Sequence, residues 1–146
     1  MAASSPPVDD RDRIDLRVPA DARYARVVRV AVSAYGLRLG LAPTAIDDLR
    51  LAVDEALILL LGPVAPNPEA GADDTARPSA IVVTLDLRDG DTVVLDLELE
   101  PEWSEGAPDR SARSRFEEIV PSDVVVERLD QARGRITLLH AREGTA

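Results

Sequence analysis

Residues 49–61 read LRLAVDEALILLL. The first half is an ordinary amphipathic helix, with Arg50, Asp54 and Glu55 set among apolar neighbours, and the second half carries no polar side chain. At about 100° per residue, Ile46, Leu49, Val53, Ala56, Leu57 and Leu60 fall in one wide stripe, the width of a core-facing helix surface. Asp48, Glu55 and Leu59 fall together on one flank. Leu51 and Ile58, one heptad apart, lie on the opposite face. A helix that is apolar nearly all round must be covered on more than one side. The cover is either the chain's own residues 62–79 or a partner protein. Thr44 followed three residues later by Asp47 resembles a capping box, and Gly62-Pro63 stops the helix after Leu61.

Upstream, residues 1–12 are polar and Pro-containing and read as a disordered tail, so one domain is expected over 13–143. Ile14, Leu16 and Val18 alternate with charged residues in a short strand stopped by Pro19. Asp21 is placed to cap a helix in which Tyr24, Val28, Ala31, Tyr35 and Leu39 recur at helical spacing, with Gly36 and Gly40 loosening its end. Downstream, residues 62–79 hold four Pro and two Gly and read as a flexible loop. AIVVTLDLRDGDTVVLDLELE, residues 80–100, is a hairpin: two alternating Val/Ile/Leu runs flank an Asp-Gly turn. Residues 101–114 read as loop, SRFEEIV (114–120) as a short helix ended by Pro121, and Val124, Val126 and Leu129 with Ile136 and Leu138 as a second hairpin across DQARG. Strand, two helices, hairpin, short helix, hairpin is the order of an α+β two-layer sandwich, with helices on one face of a mixed, mostly antiparallel sheet.

The composition narrows the chemistry. The 146 residues are 45% apolar, 30% charged and 3% aromatic, so the core rests on Val, Leu, Ile and Ala. There is no cysteine, which excludes a disulfide framework and thiolate metal sites. All 17 basic residues are Arg, which removes every mechanism that needs a lysine. The net charge of −10 argues against a nucleic-acid surface and suits a partner with a basic face. No apolar run approaches a membrane span, and the opening MAASSPPVDDRDR lacks the apolar core of a signal peptide, so the expected location is the cytoplasm.

The stretch LRVPADARYARVVRVAVSAYGLRLGLAPTAIDDLRLAVDEA resembles the anti-sigma-factor serine kinases of the RsbW/SpoIIAB type, members of the GHKL (histidine-kinase-like, Bergerat-type) ATPase superfamily. A strand ending in Val-Pro-Ala, a long helix, a Gly-Leu loop and a second helix reading DDLRLAVDEA occur in the family's order over about residues 14–57. The resemblance implies that fold, ATP and Mg²⁺ as cofactors, and Glu55 in the position of the catalytic base. In the family an Asn stands four residues after that Glu, on the same helix face, where it holds Mg²⁺ through its side-chain oxygen. Here that position is Leu59, which offers no oxygen. The family's D-x-G-x-G box corresponds to LELEPEWSEGAPDR, with one Gly and an intervening Pro101, and too few residues remain between Glu100 and Phe116 for a glycine-rich ATP lid.

The other polar residues have plainer readings. Asp47, Asp48 and Asp54 as metal ligands compete with a wet acidic helix face. His140 stands alone, without the ligand cluster of a zinc site. Trp103, in a loop, is either an interface anchor or folds back on the sheet. Ser104, Ser111, Ser114 and Ser122 sit in loops or caps. The expectation is therefore a GHKL-fold regulator of transcription, a pseudokinase lacking the ATP lid, with no cofactor. It would bind a sigma factor or an anti-sigma antagonist through Leu51, Ile58, Leu59, Leu61 and Trp103, as a homodimer or paired with a paralogue, without nucleic acid or membrane. The alternatives are a divergent ATP- and Mg²⁺-dependent serine kinase using Glu55, or a structural partner of an intact kinase paralogue.

Overall fold

The computed structural model describes residues 12–61, 80–100, 110–130 and 133–142. Strand β1 (Ile14–Pro19) leads through a 3-10 turn (Ala22–Tyr24) into helices α1 (Ala25–Arg38) and α2 (Pro43–Leu61). The hairpin β2 (Ala80–Arg88) and β3 (Thr92–Glu100) follows, then α3 (Arg110–Ile119), and then the hairpin β4 (Val124–Asp130) and β5 (Arg135–Ala141). The five strands form one sheet in the order β1-β2-β3-β5-β4, and every pairing is antiparallel. The α+β two-layer architecture read from the sequence is the one observed, with a sheet that is antiparallel throughout rather than mixed.

The period-2 pattern decides which face the helices cover. Across β2 and β3, Ile81 stands opposite Leu99, Val83 opposite Leu97 and Leu85 opposite Leu95, all of them buried. Ile136 and Leu138 of β5 extend the last two of these three rows, opposite Leu97 and Leu95, and are also buried. The alternate residues Thr84, Asp86, Asp96 and Glu98 face away from the core. From above, the core is closed by Val28, Val32 and Tyr35 of α1, Leu49, Val53 and Leu57 of α2, and Phe116 of α3.

The turns explain how the layers connect. Asp89 and Gly90 both take positive φ, 57° and 76°, in a three-residue connection between the paired Arg88 and Thr92, and the Asp91 N–H donates to the Arg88 carbonyl at 3.3 Å. Helix α1 ends in a Schellman arrangement: Leu41 N–H donates to the Gly36 carbonyl and Gly40 N–H to that of Leu37. Gly36 does not loosen α1, as its composition suggests; it lies inside the helix where a Cβ would come 2.8 Å from Ile46 Cγ1, so it lets α1 and α2 approach closely. At Gly134, φ is +68° and a Cβ would meet the Leu99 side chain at 2.6 Å, while its carbonyl accepts the Leu99 N–H at 2.8 Å.

Two local expectations change. Thr44 is not a cap: α2 begins at Pro43, whose ring suits a first helical position, and Thr44 lies inside the helix. Helix α3 begins at Arg110 rather than at Ser114. The added turn, RSAR, contains no helix breaker, and Arg113 pairs with Glu117 one turn on (3.3 Å), the i,i+4 spacing that favours a helix. The N-terminal tail through residue 11, the loop 62–79 and the 101–109 segment that contains Trp103 lie outside the described residues.

Candidate partner-binding site

Helix α2 brings the family-derived positions together as its spacing requires. Asp48, Glu55 and Leu59 are all half-buried on one flank. Leu59, Leu60 and Leu61 pack against the core cluster, so much of the cover that the apolar end demands is supplied from within the domain. The position four residues after Glu55 therefore holds a hydrocarbon side chain that packs against the core. Among the described residues, no group of three or more His, Asp or Glu side chains is arranged to hold a metal ion.

Two of the four acidic residues on α2, Asp47 and Asp54, have arginine partners. Arg29 Nε of α1 lies 3.2 Å from Asp54 Oδ1, and Arg50 lies 3.8 Å from Asp47. Partial burial pushes the Asp54 carboxyl above its ordinary range, and the nearby Arg29 guanidinium opposes that shift. His140, the single histidine, is buried on the helix-facing side of β5, and its Nδ1 has no hydrogen-bond partner. The Tyr35 hydroxyl is a second buried polar atom without a partner, and burial pushes its phenol up to about 12.

The outer face of the helical layer differs from this. Leu51 and Ile58 are 42% and 50% exposed, so these two candidate partner contacts are accessible, whereas Leu59 and Leu61 are only partly so. Helix α1 adds a row that the sequence reading missed. Val27, Val30 and Leu37 are 45%, 61% and 70% exposed, and Ala34 between them is exposed as well. The signal was present in the run VVRVAV, which is too apolar for a helix with one buried side. Val28, Ala31, Tyr35 and Leu39 account for only one side of this helix.

The sheet's other face is mixed: Val94, Leu139 and Val125 form an apolar row across β3, β5 and β4, and a polar cluster lies beside it. Arg135 Nε and Nη2 each reach an oxygen of Asp96 at 3.1 Å, and the Thr137 hydroxyl donates to Asp96 at 2.7 Å. Beside them a cleft of about 270 Å³ is lined by Glu98, Arg128, Asp130, Arg133 and Arg135, with both signs of charge mixed. Arg13 and then Thr84 hydrogen-bond Asp15 and hold its carboxyl below the ordinary value. Among the described residues, no helix is long and apolar enough to cross a membrane.

No protein-family profile matches the chain, and no curated protein matches it in sequence. Among solved structures, the chain is similar to the crystal structure of the RsbU and RsbW domains of Rv1364c from Mycobacterium tuberculosis, with a TM-score of 0.54 and 17% identity. That match covers 89% of this chain but 32% of the other, so the present chain spans about a third of its length. At this identity the likeness concerns the fold, and the fold is the α+β sandwich that the DDLRLAVDEA resemblance implies.

Proposed function

We propose that this chain is an anti-sigma-type regulatory protein that acts by binding other proteins and has no kinase chemistry of its own. The observation that carries the proposal is Leu59. It stands one turn after Glu55 on the α2 flank and packs against the core, so that position offers no oxygen to a metal that would position a phosphate. Phosphoryl transfer depends almost wholly on such positioning and charge neutralisation. A carboxylate without it has no reaction to assist. The resemblance over residues 14–57 and the fold support the regulatory class. The exposed apolar face of α1 and α2 supports action by contact. On this reading the partners are a sigma factor or an anti-sigma antagonist, with a second copy or a kinase paralogue as a further partner. Neither ATP nor Mg²⁺ is required.

A thermal-shift titration with ATP and Mg²⁺ tests the loss of nucleotide binding. A ligand at a hundred times its dissociation constant stabilises the folded state by about 2.7 kcal/mol, a shift of several degrees. The expected outcome is no saturable shift. Saturable stabilisation, followed by phosphate transfer to a partner that Glu55→Gln abolishes, returns the protein to the active kinases. Co-elution with a sigma factor or antagonist domain from the same cell is the expected positive result.

A further inference from the structure

We infer that the solvent face of α1 is a docking seam for a single acidic amphipathic helix of a partner protein. This rests on the binding function proposed above and specifies its surface. Val27, Val30, Ala34 and Leu37 follow one another at spacings of three, four and three, which is the repeat of a coiled-coil seam. Singly exposed apolar residues are common and need no explanation. A continuous row along a helix of 14 residues, about 21 Å, is different. Its opposite face already supplies Val28, Val32, Tyr35 and Leu39 to the core, so this second row has no role in closing the domain.

Charge selects the occupant. With Val27 and Ala34 at a, and Val30 and Leu37 at d, Arg26 falls at g and Arg38 at e, the positions that choose partners electrostatically. Residues 22–46 contain four Arg and no Asp or Glu, in a chain whose net charge is −10. The other two arginines of this segment are engaged, Arg23 by Asp21 (2.7 Å) and Arg29 by Asp54 (3.2 Å). A two-fold contact between copies of this chain would set this basic seam against itself, which like charges oppose. A partner helix with apolar a and d residues and Glu or Asp at e and g satisfies both the apolar row and its rim.

The experiment uses the full chain and two synthetic helices of about three heptads with identical apolar a and d residues. One carries Glu at e and g, the other Lys. NMR titration is expected to show binding of the Glu helix alone, with shifts concentrated on α1. Val30→Glu and Leu37→Glu, at exposed positions where the fold tolerates charge, should each weaken binding by about tenfold or more without lowering the melting temperature. The double variant Arg26→Glu/Arg38→Glu, which leaves every apolar contact in place, should transfer the preference to the Lys helix. Binding of both helices alike, of neither, or at residues away from α1 overturns the inference. So does self-association that Val30→Glu abolishes, which assigns the seam to a second copy. A sigma factor that still binds Val30→Glu and Leu37→Glu removes the seam and leaves the proposed function standing. Capture of the Glu helix by a protein that binds neither sigma factor nor antagonist does the reverse.

Discussion

Arg135 and Asp96 face each other across β5 and β3 as a bidentate pair, with both contacts at 3.1 Å. The Thr137 hydroxyl holds the same carboxylate from a third direction, and the Asp96 hydrogen bond raises the already high pKa of the guanidinium. Two-point Arg–carboxylate contacts are the strong members of their class, whereas isolated surface pairs contribute little. Asp96→Ala is therefore expected to cost about 1–2 kcal/mol in urea denaturation, and Arg17→Ala, which removes an exposed pair with Glu100, less than about 0.5 kcal/mol.

Tyr35 gives a pH prediction with a definite sign. Its phenol ordinarily ionises near 10 and is pushed up to about 12 by burial. The folded state thus holds the proton more tightly than the unfolded state does. That contribution is complete below about pH 10 and is lost as the pH rises toward 12. Tyr35→Phe removes a hydroxyl without a partner, so at pH 7 it should be neutral or stabilising by up to about 1 kcal/mol. Wild type should lose stability relative to Tyr35→Phe only in the alkaline limb, measured by denaturation at stepped pH. A parallel loss in both proteins would show that the phenol is not the cause.

Leu59→Asn places an Asn one turn after Glu55, the pattern of the family that residues 14–57 resemble. Here it exchanges a packed hydrocarbon for an amide with few available partners. A loss of about 1–3 kcal/mol is expected, without any gain of ATP-dependent thermal shift. A stable variant that binds ATP would mean that the flank is open enough to be rebuilt by one substitution.

Gly134→Ala should be among the most damaging single-methyl additions in the molecule. It combines a φ of +68° with an approach of 2.6 Å to Leu99. About 2–4 kcal/mol is expected from the two effects together. Gly40→Ala, with φ of +73° but open space around its Cβ, should cost only about 1–2 kcal/mol. The difference between the two, read by thermal or chemical melts, isolates the steric part.

What the sequence made legible was what local chemistry decides alone. The Asp89-Gly90 turn and its alternating flanks specify the first hairpin, and Ile46 to Leu60 specify the core stripe of α2. The strand order is set elsewhere. Placing β5 between β3 and β4 depends on Ile136 and Leu138 meeting Leu97 and Leu95 across the whole of α3, a contact no window of neighbours contains. Gly36 misled for a related reason: its role appears only when Ile46 of the next helix is placed against it. The seam on α1 was hidden differently. Its residues are apolar, and apolar residues in a helix are read as core until the fold shows which side is already occupied.

The two borders of the sheet carry a consequence for behaviour at high concentration. Unpaired strand edges are templates for joining one molecule to the next. Here β1 is six residues long, ends in Pro19 and alternates charge at Asp15 and Arg17. On the far border, β4 follows Pro121 and its ladder is interrupted between Val126 and Arg128, with Glu127 at the irregularity. Both borders are poor starting points for sheet extension between molecules. Growth along the strands is thus discouraged at both borders, even though Ile14 and Val125 are exposed there, and most of the exposed large apolar side chains, Val27, Val30, Leu37, Leu51 and Ile58, lie on the helices.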